Sequence, residues 1–232
     1  MLILIDKRAP ISIKHRLSSI GQVVDFYIHN GGYESIKGHP DIFVCNLNDR
    51  LVISPSIDNK YIELFNSKKV SYIKGNLSIK EEYPYTCHYN ALVNDKYVIH
   101  NLKYTDKIII ENTQNHKHIN VSQGYSKCNI ISIGNDNFIT SDYGIHKTLL
   151  KNNLNSLYIN PEKIILPSQR NGFIGGTTGI YKKTVYFTGS LKYYDWGNKL
   201  ISFIKNINYE INELSDSYLI DVGTILFIEN TL

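Results

Sequence analysis

Lys127-Cys128, His39-Pro40-Asp41 and Cys87-His88-Tyr89-Asn90 are the stretches of this chain whose residue types could act on a covalent bond. A thiolate is a nucleophile, and an adjacent ammonium group favours it over the thiol. A carboxylate beside an imidazole raises the imidazole pKa and orients the ring. Together these groups suit a cysteine nucleophile served by a histidine acid and base. Each also has a plainer reading. Cys128 can be a small buried hydrophobe, and Asp41 a turn cap with His39 half exposed. If HPD opens a strand, His39 and Asp41 share one face. By the same rule Lys127 and Cys128 point to opposite faces and share a site only where a bulge or turn intervenes. Cys87 is a second thiol candidate. Cys45, inside an apolar run, reads as core.

These groups are spaced by an internal repeat. IFVCNLNDRLVIS (42–54), NALVNDKYVIH (90–100) and NIISIGNDNFITS (129–141) each place an Asn-Asp turn between two β-forming runs. Asx residues tolerate left-handed backbone and bond their own turn, so each stretch predicts a β-hairpin. A degenerate fourth copy, GFIGGTTGIYKKTVYFTG (172–189), turns near Lys182. The turns at Asp49, Asp95, Asp136 and Lys182 lie 46, 41 and 46 residues apart, a repeat of domain-building size. Helices are predicted near Lys60–Lys68, over Tyr143–Leu154 and over WGNKLISFIKNI (196–207). Strands are predicted at VSYIKG, EKIILP (162–167) and NYEINEL (208–214). LIDVGTILFI (219–228) begins a fifth unit, and LILID, ISIKHRLSSIG and QVVDFYIH at the start could complete it. Counted within the repeat, His39/Asp41, His88/Asn90 and Lys127/Cys128 open successive hairpins, and Asp221 opens the fifth. They would converge at one end of a ring. The alternative is a generic α+β domain whose hairpins look alike.

Composition narrows the function. The chain has 232 residues and no composition shift, which predicts one domain over 1–232. Alanine occurs only at Ala9 and Ala91, while Ile and Tyr abound, a bias toward sheet. The net charge of +4 is dispersed, and Tyr and Lys interleave without a basic focus, which argues against nucleic acid. No run is long enough to span a membrane, and MLILIDKRAP lacks the long apolar core of a signal peptide. Three scattered cysteines suit free thiols and a cytoplasmic location. His116-Lys117-His118 and Cys87-His88 lack a third ligand at a recognised spacing, so neither metal nor cofactor is expected. Gly175, Gly176 and Gly179 in FIGGTTG either let backbone amides approach an anion or bend a strand. Asp142 is expected to cap the helix that follows it.

Five ββαβ-like units closing a ring resemble the pentein fold, an α/β (α+β) propeller of fivefold pseudosymmetry whose fifth unit here would be shared between the termini. HPD (39–41), PYTCHYN (84–90), QGYSKC (123–128), ITSDYGI (139–145), FIGGTTG (173–179) and DVGTILFI (221–228) also resemble an uncharacterised bacterial family assigned that fold. The resemblance implies a central-channel site of the guanidino-modifying enzymes. There a thiolate attacks the guanidinium carbon, a histidine moves protons, and carboxylates grip the cationic nitrogens. Carried onto this chain, it makes Cys128 the nucleophile, His39 the acid/base with Asp41, and His88, Asn90, Lys127 and Asp221 ligand contacts for a small guanidino or amine compound. The enzymes of that fold hold their cysteine near the C-terminus. Here the matching stretch offers Leu226 and Phe227, and no cysteine follows Cys128. That departure keeps a second expectation open: a non-catalytic pentein that binds a protein or ribosome, like the translation-factor members of the fold.

Overall fold

The fold is described for residues 1–229 from a computed structural model. It mixes α and β in five three-stranded sheets. At the N-terminus, β1 (Leu2–Asp6), α1 (Ile11–Ser18) and β2 (Gln22–Phe26) form a parallel strand-helix-strand unit. Next come α2 (Pro40–Phe43), β3 (Val44–Asn46), β4 (Leu51–Ile53), α3 (Asn59–Ser67) and β5 (Tyr72–Lys74). The following unit is β6 (Leu92–Val93), β7 (Tyr97–His100), α4 (Lys107–Glu111) and β8 (Lys117–Asn120). Then α5 (Ser126–Asn129), β9 (Ile130–Ile133), β10 (Asn137–Thr140), α6 (Tyr143–Lys151) and β11 (Asn155–Tyr158). A 3-10 turn (Gly175–Thr177) leads into β12 (Thr178–Tyr181), β13 (Thr184–Phe187), α7 (Gly197–Asn206) and β14 (Glu210–Glu213). In all four of these units the hairpin is antiparallel and the strand after the helix runs parallel to the second hairpin strand. β15 (Leu226–Ile228) then pairs antiparallel with β1, Leu226 opposite Leu4. The sheet β15-β1-β2 therefore has the same make-up, drawn from the two ends of the chain.

Local chemistry explains the units. Asn48 takes φ +76°, and its amide donates to the Asn46 side chain. Asn94 Oδ1 accepts from Lys96 N and Tyr97 N. These are the Asx turns that the sequence predicts. They also tie unit to unit: Asn48 Nδ2 donates to Asp95 at 2.7 Å, and Tyr97 OH donates to Asp136 at 2.8 Å. The four longer helices bury an i, i+4 pair each: Ile13/Leu17, Tyr61/Phe65, Ile145/Leu149 and Leu200/Ile204. Each such side chain contributes roughly 1.5–3 kcal/mol of burial. Asp142 caps α6 as expected, accepting from Ile145 N.

Two local expectations need correction. The third unit's last strand is Asn155–Tyr158, not 162–167; only Ile165 of the latter stretch makes a bridge, to Ile220. The chain can turn straight from α6 into β11 because Asn153 adopts φ +59°. Second, HPD and SKC do not open as strands. Pro40 begins the helical turn α2 with His39 as its cap, and Lys127 and Cys128 sit within the turn α5. Proline at the first helical position loses no hydrogen bond and is preset for helix. Among the described residues no helix is long and apolar enough to cross a membrane.

Candidate functional site

The two helical turns bring Cys128 and Asp41 together. The Cys128 thiol donates to Asp41 Oδ2 at 3.1 Å. Asn90 holds the thiol from the neighbouring unit: its Nδ2 donates to Sγ at 3.2 Å and to the Asp41 carbonyl at 3.1 Å, and its Oδ1 accepts from Cys128 N. From β15's approach, the Thr224 hydroxyl donates to Asp41 Oδ2 at 2.8 Å. His39 completes the cluster. One ligand-type atom each of His39, Asp41 and Cys128 lies within 4.8 Å of the others. His39 Nε2 is 3.9 Å from Asp6, and Nδ1 is 3.9 Å from Asp221. Asp6 is paired with Arg8 at 2.7 Å, while Asp221 accepts from the amides of Phe173 and Gly223. All of these groups except Arg8 are buried.

Burial sets the charges. It pushes the Asp41 carboxyl up to about 6, against the hydrogen bonds from Cys128 and Thr224 that pull it down. It holds the Cys128 thiol well above its ordinary pKa, and the negative charges of Asp41 and Asp221 add to that. It also lowers His39, despite the two nearby carboxylates. Burial raises Asp221 as well, partly offset by His39. At neutral pH the resting cluster is therefore a protonated thiol donating to a carboxylate beside a neutral imidazole. Both ring nitrogens of His39 and Oδ1 of Asp41 have no hydrogen-bond partner among the described residues. In a saturated interior such atoms are rare. A cavity of about 80 Å³ adjoins His39, lined by it, Cys128 and Asp221 with Tyr33, Tyr125, Gln169, Asn171 and Phe173. A second, of about 170 Å³, shares His39 and Asp221 and reaches Asp6 and Arg8. The nitrogen, oxygen and sulfur donors of the trio are of zinc-ligand type. A metal there would have to displace the thiol proton that bridges to Asp41.

Glycines make the crowding feasible. A Cβ on Gly176 would fall 1.9 Å from Asp221 Oδ1, one on Gly38 2.2 Å from the Asp6 carboxyl, and one on Gly223 2.1 Å from His39 Cβ. FIGGTTG thus makes room for a protein carboxylate, Asp221, and its Phe173 amide donates to it, so the anion this stretch meets is the protein's own. Gly223 and Thr224 both have positive φ, +66° and +64°. For a β-branched residue that conformation is strained by about 1–3 kcal/mol, and here it delivers the hydroxyl to Asp41.

Of the residues singled out in the sequence, Cys128, His39, Asp41, Asn90 and Asp221 come together. His88 does not: its Nδ1 is bonded to Tyr104 O at 2.7 Å, and its ring packs near Tyr85. His88 sits where the second unit's opening turn leads away from the cluster, so repeat position alone misplaced it. Lys127 shares a turn with Cys128 but lines a different cavity, with Cys45 and Thr224. Its charge is not what governs the thiol. Cys87 is buried and donates to Pro84 O, and Cys45 lies in the core of β3. Phe227 stacks on Tyr181 and packs on Tyr186, a wholly apolar role. Asp6, Arg8 and Thr224 were not foreseen. Asp6 ends the apolar run LILI with Arg8 two residues on, a readable hint of a carboxylate paired at the edge of the core. Nothing in the sequence announces the backbone of Thr224.

The fold and site so far define a mixed α and β chain of five similar sheets with a buried Cys-His-Asp cluster. Over residues 4–226 it matches the model of a family of unknown function, DUF6873, and it belongs to that family. The matched span takes in every residue of the cluster. No curated protein matches the chain.

Proposed function

We propose that the protein is a pentein-like propeller whose centre binds a small guanidino or amidino compound and hydrolyses it through Cys128. The observation carrying this reading is the meeting of Cys128, Asp41 and His39 within 4.8 Å, beside a small cavity and with three polar atoms unpartnered. The five like sheets, the last drawn from both chain ends, support the ring. A planar cation would donate to Asp41 Oδ1 and Asp221, as paired carboxylates suit such a group. Burial mainly holds the thiol protonated and the two carboxylates add to it; the cation's charge would offset their part, so ligand binding favours the nucleophile. In the reaction, the thiol proton passes to Asp41 as sulfur bonds to the amidino carbon. His39 relays that proton to the departing amine as the C–N bond breaks. Water then bonds to the same carbon, the C–S bond breaks, the thiol regains a proton, and a urea-type carbonyl product leaves.

A second reading, a pentein that binds a ligand, a protein or a ribosome without turnover, is favoured by Phe227 in the place of the C-terminal cysteine and by the raised thiol pKa. One experiment separates the two. 2-Chloroacetamidine, a cationic alkylating agent, is expected to label Cys128 of the folded protein at neutral pH about tenfold or more faster than neutral 2-chloroacetamide. Asp41→Asn should abolish the preference. Equal rates, or labelling that waits for unfolding, sinks the hydrolase.

A further inference from the structure

We infer that the protein has a second ligand site, separate from the cysteine cluster, that takes a small oxyanion, a carboxylate or a phosphate, on Lys127. The cavity that Lys127 lines has a volume of about 280 Å³ and includes none of His39, Asp41, Cys128 or Asp221. Thr224 lines it too, while its hydroxyl bonds Asp41, so the Asp41–Thr224 contact stands between this cavity and the cluster.

Three donors here are free. The Lys127 amine makes no hydrogen bond or ion pair among the described residues, although its backbone amide is bonded to Asn90 O. Asn46 uses only its Oδ1, in the turn to Asn48, which leaves its Nδ2. Tyr209 packs by its ring, and its hydroxyl has no partner among the described residues. Some of the other polar side chains of the lining bond one another. Asn94 donates to Ser132 Oγ and Asn135 O, and Asp95 accepts from Asn48. The site thus sets three unused donors around Lys127, the one cation of its lining, while its one carboxylate, Asp95, is exposed and accepts from Asn48. Burial lowers the amine's pKa, and Asp41, the nearest acid acting on it, works the other way. An oxyanion bound against the amine would restore the full charge. Two or three charge-assisted bonds in a partly enclosed cavity are what holds a carboxylate or phosphate, not a neutral ligand. Three units supply the three donors (Asn46 from the first hairpin, Lys127 from α5, Tyr209 beside β14), so the site exists only in the assembled fold.

The test is competitive labelling of the whole protein with trace acetic anhydride, read residue by residue by mass spectrometry, in inorganic phosphate, in malonate, and in chloride at equal ionic strength. One or both oxyanions should slow acetylation of Lys127 about tenfold or more while leaving exposed lysines such as Lys96 unchanged. The arm that protects tells phosphate from carboxylate. Tyr209→Phe, which removes one hydroxyl, should weaken that protection several-fold, as should Asn46→Ala. Equal acetylation of Lys127 in all three solutions overturns the site, as does protection that the Tyr209→Phe and Asn46→Ala variants leave intact. The result is independent of the cysteine chemistry. Loss of 2-chloroacetamidine labelling at Cys128 with Lys127 still protected would remove the hydrolase and keep this site.

Discussion

At the turn end of the hairpins, Asp136 accepts from Lys96 and Tyr97 in the open. At the opening end, Asp41 accepts the Cys128 thiol and the Thr224 hydroxyl in the buried interior. The same repeat thus places carboxylates in two environments, and their charges respond oppositely. Lys96 and Tyr97 hold the Asp136 carboxyl below its ordinary value, whereas burial lifts Asp41 to about 6. The turn end uses charge where water screens it, which stabilises little. The opening end keeps carboxylates where they are unfavourable, and structural economy alone does not explain that. Buried, perturbed groups of this kind mark sites where a ligand can supply the missing partner.

The largest expected effect sets the two ends against each other through glycine. Gly223 and Gly134 both have positive φ, +66° and +59°. A Cβ at Gly134 would find only the Tyr209 hydroxyl at 4.0 Å, while one at Gly223 would lie 2.1 Å from His39 Cβ. Gly134→Ala should cost about 1 kcal/mol, the backbone strain alone. Gly223→Ala should cost about 3 kcal/mol or more, adding overpacking against His39. Urea denaturation of both variants measures the difference. Equal losses would mean that the cluster is loosely packed and His39 free to move.

Next in size is the pH response of Asp41. Its folded pKa, about 6, stands above the ordinary 3.8, so the folded state binds the proton more tightly. The contribution to stability is fully present below about 3.8 and is lost as the pH rises through about 6. His39, lowered by burial, acts in the opposite sense and loses stability as pH falls, so the Asp41 part must be isolated by difference. Relative to Asp41→Asn, the wild type should lose about 1–3 kcal/mol between roughly pH 4 and pH 7. Denaturation midpoints of the two proteins across that range check it. A constant difference would show that Asp41 titrates normally, and the argument for a ligand-completed site would fail with it.

The two ends also differed in how far the sequence revealed them. The turns were legible because Asx chemistry is local: Asn46 and Asn94 bond amides two or three residues on, so the dipeptide carries its own structure. The helix over 196–207 was legible for the same reason, its apolar residues falling on one face. The openings were not. Whether His39-Pro40-Asp41 forms a strand or a helical turn depends on packing against units far away in sequence. The repeat period still brought Cys128, Asp41 and Asn90 to one place although their local conformation was misread. It failed at His88, whose turn leads its ring to Tyr104. Asp6 and Thr224 escaped because a cluster assembled from both chain ends has no spacing to read.

The smallest effect belongs to the turn end. Asp136→Asn removes the acceptor of Lys96 at 2.7 Å and of Tyr97 at 2.8 Å and breaks the link from the second hairpin to the third. Both Lys96 and Asp136 are about half exposed, so solvent screens the pair. The midpoint of thermal unfolding should fall only slightly at low salt and not at all in molar salt. The sign of the pH response is the sharper readout. A carboxyl held below its ordinary pKa contributes stability above the unfolded value and loses it as the pH falls, the reverse of Asp41. The wild-type advantage over Asp136→Asn should therefore vanish on acidification below the ordinary 3.8, where the contribution of Asp41 is already fully present. A large, salt-insensitive loss in Asp136→Asn would mean that the hairpin tips act as one network rather than as separate screened pairs. In that case the rigidity of the five-sheet assembly, and with it the alignment of Cys128 on Asp41, would be set from the turn end.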